Sequence, residues 1–508
     1  MKDDSMTTLG RVPTGIPGLD TILNGGFLEG GVYIVQGTPG TGKTTLANQV
    51  CFNHAAHGGR ALYATLLAEY HGRMMQHLGG MSFYDVSKIP DQVKYINGFG
   101  TLRADGYSAL RDLLRREVTA HQATILILDG FATAQRRLPE EHDFNEFVHE
   151  LQGIAIATGC TMFLLSSAMG VRDTPEYTIV DGIVELSDQL IGWASESTLQ
   201  VIKLRGTGYL RGRHAFRITS DGLVAYPRIE ALLARPSRPE PGVADTAASG
   251  VEGLDAMLGG GLPAASTTLV LGPSGVGKTT LGLQFLSGCA DDAPGLLFGF
   301  YETPARLRAK AEKVCRPLLG LLDGGAVEVL WQPPTDGLLD AYGDRLLKNV
   351  RRRGVRRLVI DGLGAFQGAA SEPGRLTQYL TALMNELRAL GVTTVYTLAV
   401  PDMTGHLIRE PVRDLAVPSD NLIVMRYVEM RSRLHRVISV LKVRTSDFDP
   451  AIYRYVTTGQ GLRIEGPLAV MEAGMEAGMM AGIAAGADPE ADMVASEAGT
   501  GPAPGRGA

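Results

Sequence analysis

The sequence predicts an α/β protein made of two tandem copies of one domain, each with a mostly parallel sheet flanked by helices. Internal similarity is the first indication, because TGIPGLDTILNGGF at 14–27 is matched by SGVEGLDAMLGGGL at 249–262, 235 residues later. Short β-branched runs alternate with longer helical patterns, which is typical of parallel strands joined by crossover helices. The third indication is a glycine-rich segment in each copy, GTPGTGKTT at 37–45 and GPSGVGKTT at 272–280.

The predicted elements follow the same order in both copies. GVYIVQG (31–37) and TTLVLG (267–272) have the pattern of buried strands, and TTLANQVCFNHAAH and TTLGLQFLSGCA that of the following helices. The apolar runs ALYATLL, ATILILD and CTMFLLS predict three more strands in the first copy. Two later markers keep the order, because ILILDG corresponds to RLVIDG, and KLR at 203–205 to KVR at 442–444.

These markers predict two domains, 1–234 and 248–466, with a linker over 235–247 and a tail over 467–508. The linker region includes the proline-rich ARPSRPEPG, which disfavours regular structure and indicates a semi-rigid connection. The tail is a mixture of Met, Ala, Gly, Glu and Pro that predicts disorder. A partner-binding helix around 470–485 is the alternative interpretation of the tail.

Composition narrows the functional class. The chain has 508 residues, of which 44% are hydrophobic and 20% charged, as in ordinary globular domains. Its net charge of −6 disfavours nucleic acid as a partner, although a local basic groove is compatible with such binding. Four scattered cysteines without a CxxC pair indicate a reducing compartment rather than a zinc finger or a disulfide framework. The start MKDDSMTTLG lacks a signal-peptide pattern and no run suits a membrane helix, so we expect a cytoplasmic protein without a membrane segment.

Both glycine-rich segments match GxxxxGK[ST] between a strand and a helix, which is the context of a phosphate-binding P-loop. The glycines allow backbone N–H groups to surround phosphate oxygens, and the helix dipole favours the same anion. Lys43 and Lys278 are expected to reach the β- and γ-phosphates, and the hydroxyls of Thr44 and Thr279 to ligate Mg²⁺. The absence of an NKxD motif favours ATP over GTP. The predicted nucleotide-binding residues are Gly37, Thr38, Pro39, Gly40, Thr41, Gly42, Lys43, Thr44 and Thr45, and in the second copy Gly272, Pro273, Ser274, Gly275, Val276, Gly277, Lys278, Thr279 and Thr280.

An aspartate follows an apolar strand and precedes a glycine in each copy. Asp129 and Asp361 are therefore expected at the carboxyl edge of a parallel sheet, where ligands bind. We predict that they bind Mg²⁺ together with Thr44 and Thr279. The alternative is that each aspartate caps the start of a helix.

One glutamate in each copy is a candidate catalytic base. Glu69 lies 26 residues after Lys43, and Glu302 lies 24 residues after Lys278, each beyond a predicted strand. A carboxylate at this place can accept a proton from the attacking water. The alternative is a solvated acid at the start of a helix.

Taken together, these segments resemble the RecA-like domain of the KaiC family over residues 10–466. The resemblance includes LQVIKLRGTGYLRGRHAFRIT in the first copy and ISVLKVRTSDFDPAIYRYVTTGQGLRI in the second. It implies two tandem RecA-like P-loop ATPase domains, and a double-ring homo-hexamer in which ATP lies between neighbouring subunits. It further implies that Lys203 and Arg205, and Lys442 and Arg444, contact the γ-phosphate of the neighbour. Independently, K-x-R on a strand places both cations on one face, where the alternative is an ordinary exposed strand face.

Two departures from the family pattern affect the expected chemistry. The family has two adjacent glutamates after the second strand, whereas Ala68 and Tyr301 occupy the first of these positions here. Hydrolysis is therefore expected to be slow. Ala416 and Val417 occupy the phospho-acceptor positions of the clock protein's second domain, so autokinase activity is not expected.

The sequence therefore favours an ATP-hydrolysing oligomeric switch whose nucleotide state controls a regulatory protein partner. A DNA-directed ATPase of the RecA, RadA or DnaB type is a competing hypothesis, and the basic run RRRGVRR at 351–357 is the feature that suggests it. A nucleotide-binding scaffold with little turnover is another, and a KaiC-type serine/threonine autokinase is a third. DNA-stimulated hydrolysis would identify the DNA-directed enzyme, and tight ATP binding without phosphate release would identify the scaffold.

Overall fold

The computed structural model describes residues 10–67, 71–131, 141–167, 175–242, 245–335, 337–372, 374–401, 418–430 and 432–468. The chain forms two compact units whose main division falls between Arg235 and Pro236. The predicted tail lies outside the described residues from position 469 onward.

The first half alternates strands and helices over most of its length. Its described strands are β1 (Arg11–Val12), β2 (Phe27–Leu28), β3 (Val32–Gln36), β4 (Ala61–Thr65), β5 (Val93–Asn97), β6 (Ile125–Asp129), β7 (Thr161–Ser166), β8 (Gly182–Ile191), β9 (Ala194–Leu204), β10 (Arg213–Thr219) and β11 (Gly222–Tyr226). Its described helices are α1 (Leu19–Ile22), α2 (Lys43–Ala56), α3 (His71–Leu78), α4 (Phe99–His121), α5 (Glu141–Thr158), α6 (Pro175–Ile179) and α7 (Ile229–Leu232). Glycine at position 106 interrupts the helical geometry within α4.

Nine of these strands form one mixed sheet in the order β11-β10-β9-β8-β3-β7-β6-β4-β5. All pairings from β8 to β5 are parallel, and β9, β10 and β11 extend the sheet with antiparallel pairings. Strand β3 is buried along its whole length, as expected for a parallel strand covered by helices on both faces. The carboxyl ends of β3, β4 and β6 consequently lie at one edge of the sheet.

The second half repeats this pattern. Its described strands are β12 (Thr246–Ala247), β13 (Leu262–Pro263), β14 (Thr267–Gly272), β15 (Gly295–Gly299), β16 (Val327–Trp331), β17 (Arg357–Asp361), β18 (Thr393–Ala399), β19 (Asn421–Met430), β20 (Arg433–Val443), β21 (Tyr453–Thr458) and β22 (Gly461–Pro467). Its described helices are α8 (Leu254–Met257), α9 (Lys278–Leu286), α10 (Pro304–Val314), α11 (Pro317–Asp323), α12 (Leu339–Arg353), α13 (Gly364–Ala369) and α14 (Arg375–Ala389).

The second nine-stranded sheet has the order β16-β15-β17-β18-β14-β19-β20-β21-β22. Each strand corresponds to one strand of the first sheet, so β14 takes the place of β3, β17 that of β6, and β20 that of β9. The predicted fold class, two tandem RecA-like α/β domains, is thus confirmed.

Apolar side chains from the strands and the flanking helices form the cores. In the first half, one buried cluster includes Tyr33, Phe52 and Phe163 on one face of the sheet, and a second includes Leu110 and Phe147 on the other. A corresponding cluster in the second half packs α9 against its sheet. The burial of these large side chains is the main stabilising contribution to each unit.

The proline-rich segment after Arg235 makes specific contacts within the second unit. The Ser237 hydroxyl donates a 2.7 Å hydrogen bond to Glu386, and its backbone N–H donates one of 2.8 Å. Glu386 is fully buried and also pairs with Arg351 at 2.7 Å. Arg238 donates to the carbonyl of Ala389 at 2.7 Å. These bonds fix the start of the predicted linker against α12 and α14.

The two tryptophans of the chain lie in contrasting surroundings, one in each half. Trp193 occupies the turn between β8 and β9 and is fully exposed. The indole N–H of Trp331, at the end of β16, donates a 3.1 Å hydrogen bond to the carbonyl of Phe300.

Candidate functional site

The first P-loop connects the end of β3 to the start of α2. Gly42, the residue before α2, has a φ of 92°, in the left-handed region that favours glycine. A Cβ atom at this position would lie 2.4 Å from the Cδ1 atom of Ile218. In the second copy Gly277 precedes α9 with a φ of 116°. Both loops thus depend on glycine for the turn that brings the backbone to the helix N-terminus.

The two P-loop lysines contact their own loops in the same way. The ammonium group of Lys43 donates to the carbonyls of Gly37 at 2.7 Å and Thr38 at 2.9 Å. Lys278 donates to the carbonyls of Gly272 at 2.6 Å and Pro273 at 2.8 Å. Burial lowers the pKa of Lys43 and lowers the pKa of Lys278 to about 8, while Asp129 and Asp361 act on them in the opposite direction. Each lysine therefore lies inside the loop that is predicted to hold phosphate.

The predicted metal ligands come together in both copies. The Thr44 hydroxyl lies 3.3 Å from Oδ2 of Asp129, and the Thr279 hydroxyl lies 2.9 Å from Oδ2 of Asp361. A hydroxyl and a carboxylate at the start of a P-loop helix are hard oxygen donors of the type that Mg²⁺ prefers. The residues present therefore fit the predicted metal.

Each aspartate is held by a hydroxyl group that the sequence patterns did not assign to it. The Tyr63 hydroxyl on β4 donates a 2.6 Å hydrogen bond to Oδ2 of Asp129. Asp361 accepts a 2.7 Å bond from the Thr397 hydroxyl on β18, and the same hydroxyl accepts from the N–H of Gly362. Burial raises the pKa of Asp129, whereas the bonds from Tyr63 and Thr44 act in the opposite direction.

A cavity of about 450 Å³ lies next to the first P-loop. Thr44 and Asp129 line one side of it, and the basic side chains of His71, Arg73 and His77 on α3 line another. The cavity is therefore lined both by the predicted metal ligands and by a helix that contributes the guanidinium of Arg73 and two imidazoles. This is a favourable environment for phosphate oxygens.

Of the two candidate bases, Glu302 lies among the described residues and Glu69 does not. Glu302 lies just before α10, where Thr303 caps the helix by accepting from the N–H of Arg306 at 3.4 Å. The Glu302 carboxylate forms an ion pair with Lys310 of α10, eight residues later in the sequence. The Tyr301 side chain, 62% exposed, lies against Gly362, beside Asp361. Glu69 and its neighbour Ala68 lie outside the described residues, as do Ala416 and Val417.

The first K-x-R pair does not contact the P-loop of its own domain. Lys203 on β9 pairs in register with Ile183 of β8, which pairs with Ile34 of β3. Gly37 begins the P-loop three residues beyond Ile34, which is about 10 Å along the strand. Lys203 and Arg205 instead donate to backbone carbonyls of α6, at distances from 2.6 to 3.1 Å.

The second K-x-R pair has the equivalent place in the second sheet. Lys442 pairs with Leu422 of β19, which pairs with Leu269 of β14, three residues before Gly272. The Lys442 ammonium donates to the carbonyl of Ser419 at 2.7 Å, and Arg444 lies 3.7 Å from Asp420. Neither cation pair therefore completes the phosphate site of the domain that carries it.

A family model described as "ATPase: KaiC" matches residues 12–230 and again residues 247–468. The chain belongs to the KaiC family. It carries two copies of that family's ATPase domain, so the resemblance found in the sequence is confirmed, and with it ATPase domains in general.

Curated KaiC relatives match across nearly the whole chain. The circadian clock oscillator protein KaiC of Picosynechococcus sp. is 27% identical over 476 residues, covering 90% of this chain and 89% of the relative. The corresponding Nostoc sp. protein is 26% identical over 479 residues, covering 90% and 89%. KaiC 1 of Synechocystis sp. is 26% identical over 477 residues, covering 89% and 88%. Among the residues that the structure describes, no helix is long and apolar enough to cross a membrane.

Proposed function

We propose that this KaiC-family protein is an ATP-hydrolysing switch that forms a homo-hexamer, with ATP and Mg²⁺ between neighbouring subunits. The position of the K-x-R pairs is the observation that supports this proposal most directly. Two cations separated from their own P-loop by about 10 Å along the sheet cannot neutralise the phosphate bound there, but they can serve an adjacent subunit. A site completed by a neighbour links nucleotide binding to assembly.

Each residue type has a distinct task in the proposed reaction. The P-loop backbone and Lys43 or Lys278 hold the β- and γ-phosphates, and the neighbour's Lys and Arg stabilise negative charge on the γ-phosphate. Thr44 and Asp129, or Thr279 and Asp361, would hold Mg²⁺, which when bound neutralises part of the phosphate charge.

Proton transfer falls to Glu69 and Glu302 in this proposal. The carboxylate accepts a proton from water as the water oxygen bonds to the γ-phosphorus and the bond to ADP breaks. In the second copy the Glu302 carboxylate is engaged by Lys310, and this ion pair competes with the attacking water for the carboxylate. With Tyr301 in place of a second glutamate, this favours slow turnover, as suits a regulatory switch that acts on a protein partner in the cytoplasm.

The basic run at 351–357 gives little support to the DNA-directed alternative. Arg351 pairs with buried Glu386, and Arg352 and Arg353 both pair with Glu328 at 3.1 Å. Arg357 donates to the carbonyl of Phe285 at 2.9 Å. Four of the five arginines thus contact groups within their own unit, which leaves less charge for a phosphate backbone.

Nucleotide-dependent assembly is the test of the proposed function. Light scattering of micromolar protein with a saturating non-hydrolysable ATP analogue and Mg²⁺ is expected to give six times the monomer mass of 54.2 kDa. The matched control is Lys203→Ala with Arg205→Ala, which removes the first cation pair and leaves both P-loops intact. A wild-type protein that stays monomeric with the analogue would overturn the proposal.

A further inference from the structure

A polar group lies directly behind the first P-loop. Gln36, the last residue of β3, is almost fully buried and is followed at once by Gly37. Its side-chain N–H donates a 2.6 Å hydrogen bond to Glu185 of β8, and its side-chain oxygen accepts a hydrogen bond from the Tyr177 hydroxyl. The backbone of the loop is thereby connected to a side chain of α6.

The same short helix holds the first cation pair. The carbonyls of Tyr177 and Thr178 accept from the Lys203 ammonium at 2.8 and 3.1 Å. The carbonyls of Thr178 and Ile179 accept from the Arg205 guanidinium at 2.6 and 3.1 Å. Helix α6 therefore contacts Gln36, at the start of the P-loop, through the Tyr177 side chain. It contacts Lys203 and Arg205 through its backbone carbonyls.

We propose that Tyr177 is a positioning residue that couples neighbouring ATP sites of the first ring. The inference rests on the proposed function, because it requires Lys203 and Arg205 to act on an adjacent subunit. A cation that turns to the neighbour's phosphate leaves the α6 carbonyls, so α6 loses its bonds to Lys203 and Arg205 and keeps the 2.9 Å bond from Gln152 to the Ile179 carbonyl. The Tyr177–Gln36 bond transmits this change to the P-loop of the same subunit, so occupancy of one site alters ATP affinity at the next.

The described part of the second copy lacks this connection. Leu271 occupies the position of Gln36, and Val424 occupies that of Glu185, so the end of β14 offers no side-chain hydrogen bond. The Lys442 ammonium contacts the Ser419 carbonyl, and the Ser419 hydroxyl bonds to Tyr396. Asp420, beside Arg444, accepts from the N–H of Thr267 at the start of β14, the end remote from the P-loop. We therefore assign the coupling to the first ring alone.

The test measures cooperativity in the first ring after the second P-loop has been inactivated. In the Lys278→Ala protein, ATP hydrolysis and nucleotide binding are recorded against ATP concentration, and light scattering records assembly. The parent is expected to show a Hill coefficient near 2, and Tyr177→Phe is expected to lower it to 1 while hexamers still form. The matched control is Tyr396→Phe in the Lys43→Ala protein, where no change in the Hill coefficient is expected.

A second variant covers the possibility that loss of the tyrosine hydroxyl disturbs folding. Gln36→Leu with Glu185→Val installs the pair that the second copy carries and does not leave the half-buried Glu185 carboxylate without its partner. It is also expected to give a coefficient of 1. A cooperative parent whose coefficient is unchanged in either well-folded variant overturns the inference and leaves the proposed function intact. A parent that assembles but shows no cooperativity also overturns the inference and leaves the proposed function intact. A parent that fails to assemble with the ATP analogue overturns the inference, because the first ring then does not form through its own sites, and a wild-type protein that also fails to assemble overturns the proposed function as well.

Discussion

The two P-loop sites hold the aspartate that is predicted to bind Mg²⁺ from opposite sides. Strand β6 lies between β4 and β7, and Asp129 takes its hydrogen bond from Tyr63 on β4. In the second sheet, Asp361 takes its bond from Thr397 on β18, which corresponds to β7. Leucine fills the unused position in each copy, Leu165 in the first and Leu297 in the second. Besides the P-loop threonine, each half-buried carboxylate thus has one hydroxyl donor from a neighbouring strand, and either neighbour can provide it.

The surroundings of this bond also differ between the copies. Tyr95, beside Tyr63, donates a 2.8 Å hydrogen bond to Asn48, which in turn donates to the carbonyl of Thr44. Val329 and Leu283 occupy the corresponding positions in the second copy. The first site is therefore supported by a buried polar network and the second by apolar packing. We expect the second site to be the more sensitive to loss of its hydroxyl donor, because apolar neighbours offer no replacement partner.

The largest effect is expected on nucleotide stoichiometry when one P-loop lysine is removed. Lys43→Ala and Lys278→Ala each delete the ammonium group that lies inside one P-loop. Equilibrium binding of labelled ATP is expected to fall from two nucleotides per chain to one in either variant, because the other loop is unaffected. The double variant is the control and should bind none. Two nucleotides retained in a single variant would show that the lysine is not required.

The next largest effect is expected at the candidate bases. Glu69→Gln and Glu302→Gln keep the side-chain shape but remove the proton acceptor, so turnover at the affected site should fall by about 10²-fold or more while ATP binding persists. Each is measured as phosphate release with the other P-loop inactivated. Lys310→Met is the matched control for the second site, because it frees Glu302 and should not lower the rate. Wild-type turnover in both glutamine variants would place the base elsewhere.

A smaller effect is expected when the aspartate loses its hydroxyl donor. Tyr63→Phe removes one hydrogen bond to the half-buried carboxylate of Asp129, and a bond to a charged group is worth about 1.5–3 kcal/mol. Calorimetry should show a lower unfolding temperature for the first unit, and Leu165→Thr added to this variant should restore part of the loss by supplying a donor from β7. Thr397→Val is the counterpart in the second copy and should cost more, because this hydroxyl also accepts from the N–H of Gly362 and its apolar neighbours offer no replacement partner. Equal losses in the two copies would contradict the contrast between a polar first site and an apolar second one.

The smallest signal is expected in a self-phosphorylation assay, where we expect no label on the protein. Ala416 and Val417 have no hydroxyl group. Ser419, two residues further on, is fully buried and bonded to Tyr396, so it is poorly placed for in-line attack on a γ-phosphate. Incubation with γ-labelled ATP followed by peptide mapping should recover no labelled peptide. Label on Ser419 or Thr404 would restore the autokinase interpretation.

Much of the fold follows from local sequence patterns. The strand predicted at 31–37 is observed at Val32–Gln36, and TTLVLG forms β14 over its full length. The helix predicted to continue to Ala290 ends instead at Leu286. The Ser287 hydroxyl donates to the carbonyl of Gln284 at 2.6 Å, so a side chain satisfies a last-turn acceptor and the helix can stop there.

The site was predictable only where a contiguous motif encodes it. The P-loops and the aspartates at strand ends are local features, and the structure brings Thr44 to Asp129 and Thr279 to Asp361. The hydroxyl donors come from other strands, and neither can be assigned without the strand order of a mixed sheet. A hydroxyl-bearing residue inside an otherwise apolar strand, such as Tyr63, was the available signal. The Glu302–Lys310 pair likewise depends on how α10 turns after its cap.

The unequal environments of the two tryptophans give the molecule a built-in pair of optical reporters. Trp193 is fully exposed at the β8–β9 turn of the first half, so its fluorescence should have the red emission of an indole in water and be open to quenching by iodide. Trp331 donates to the carbonyl of Phe300, next to Tyr301 and two residues before Glu302, so its emission should respond to changes at the second site. Replacing either tryptophan with phenylalanine leaves one emitter, which allows events in each half to be followed separately in the unlabelled protein.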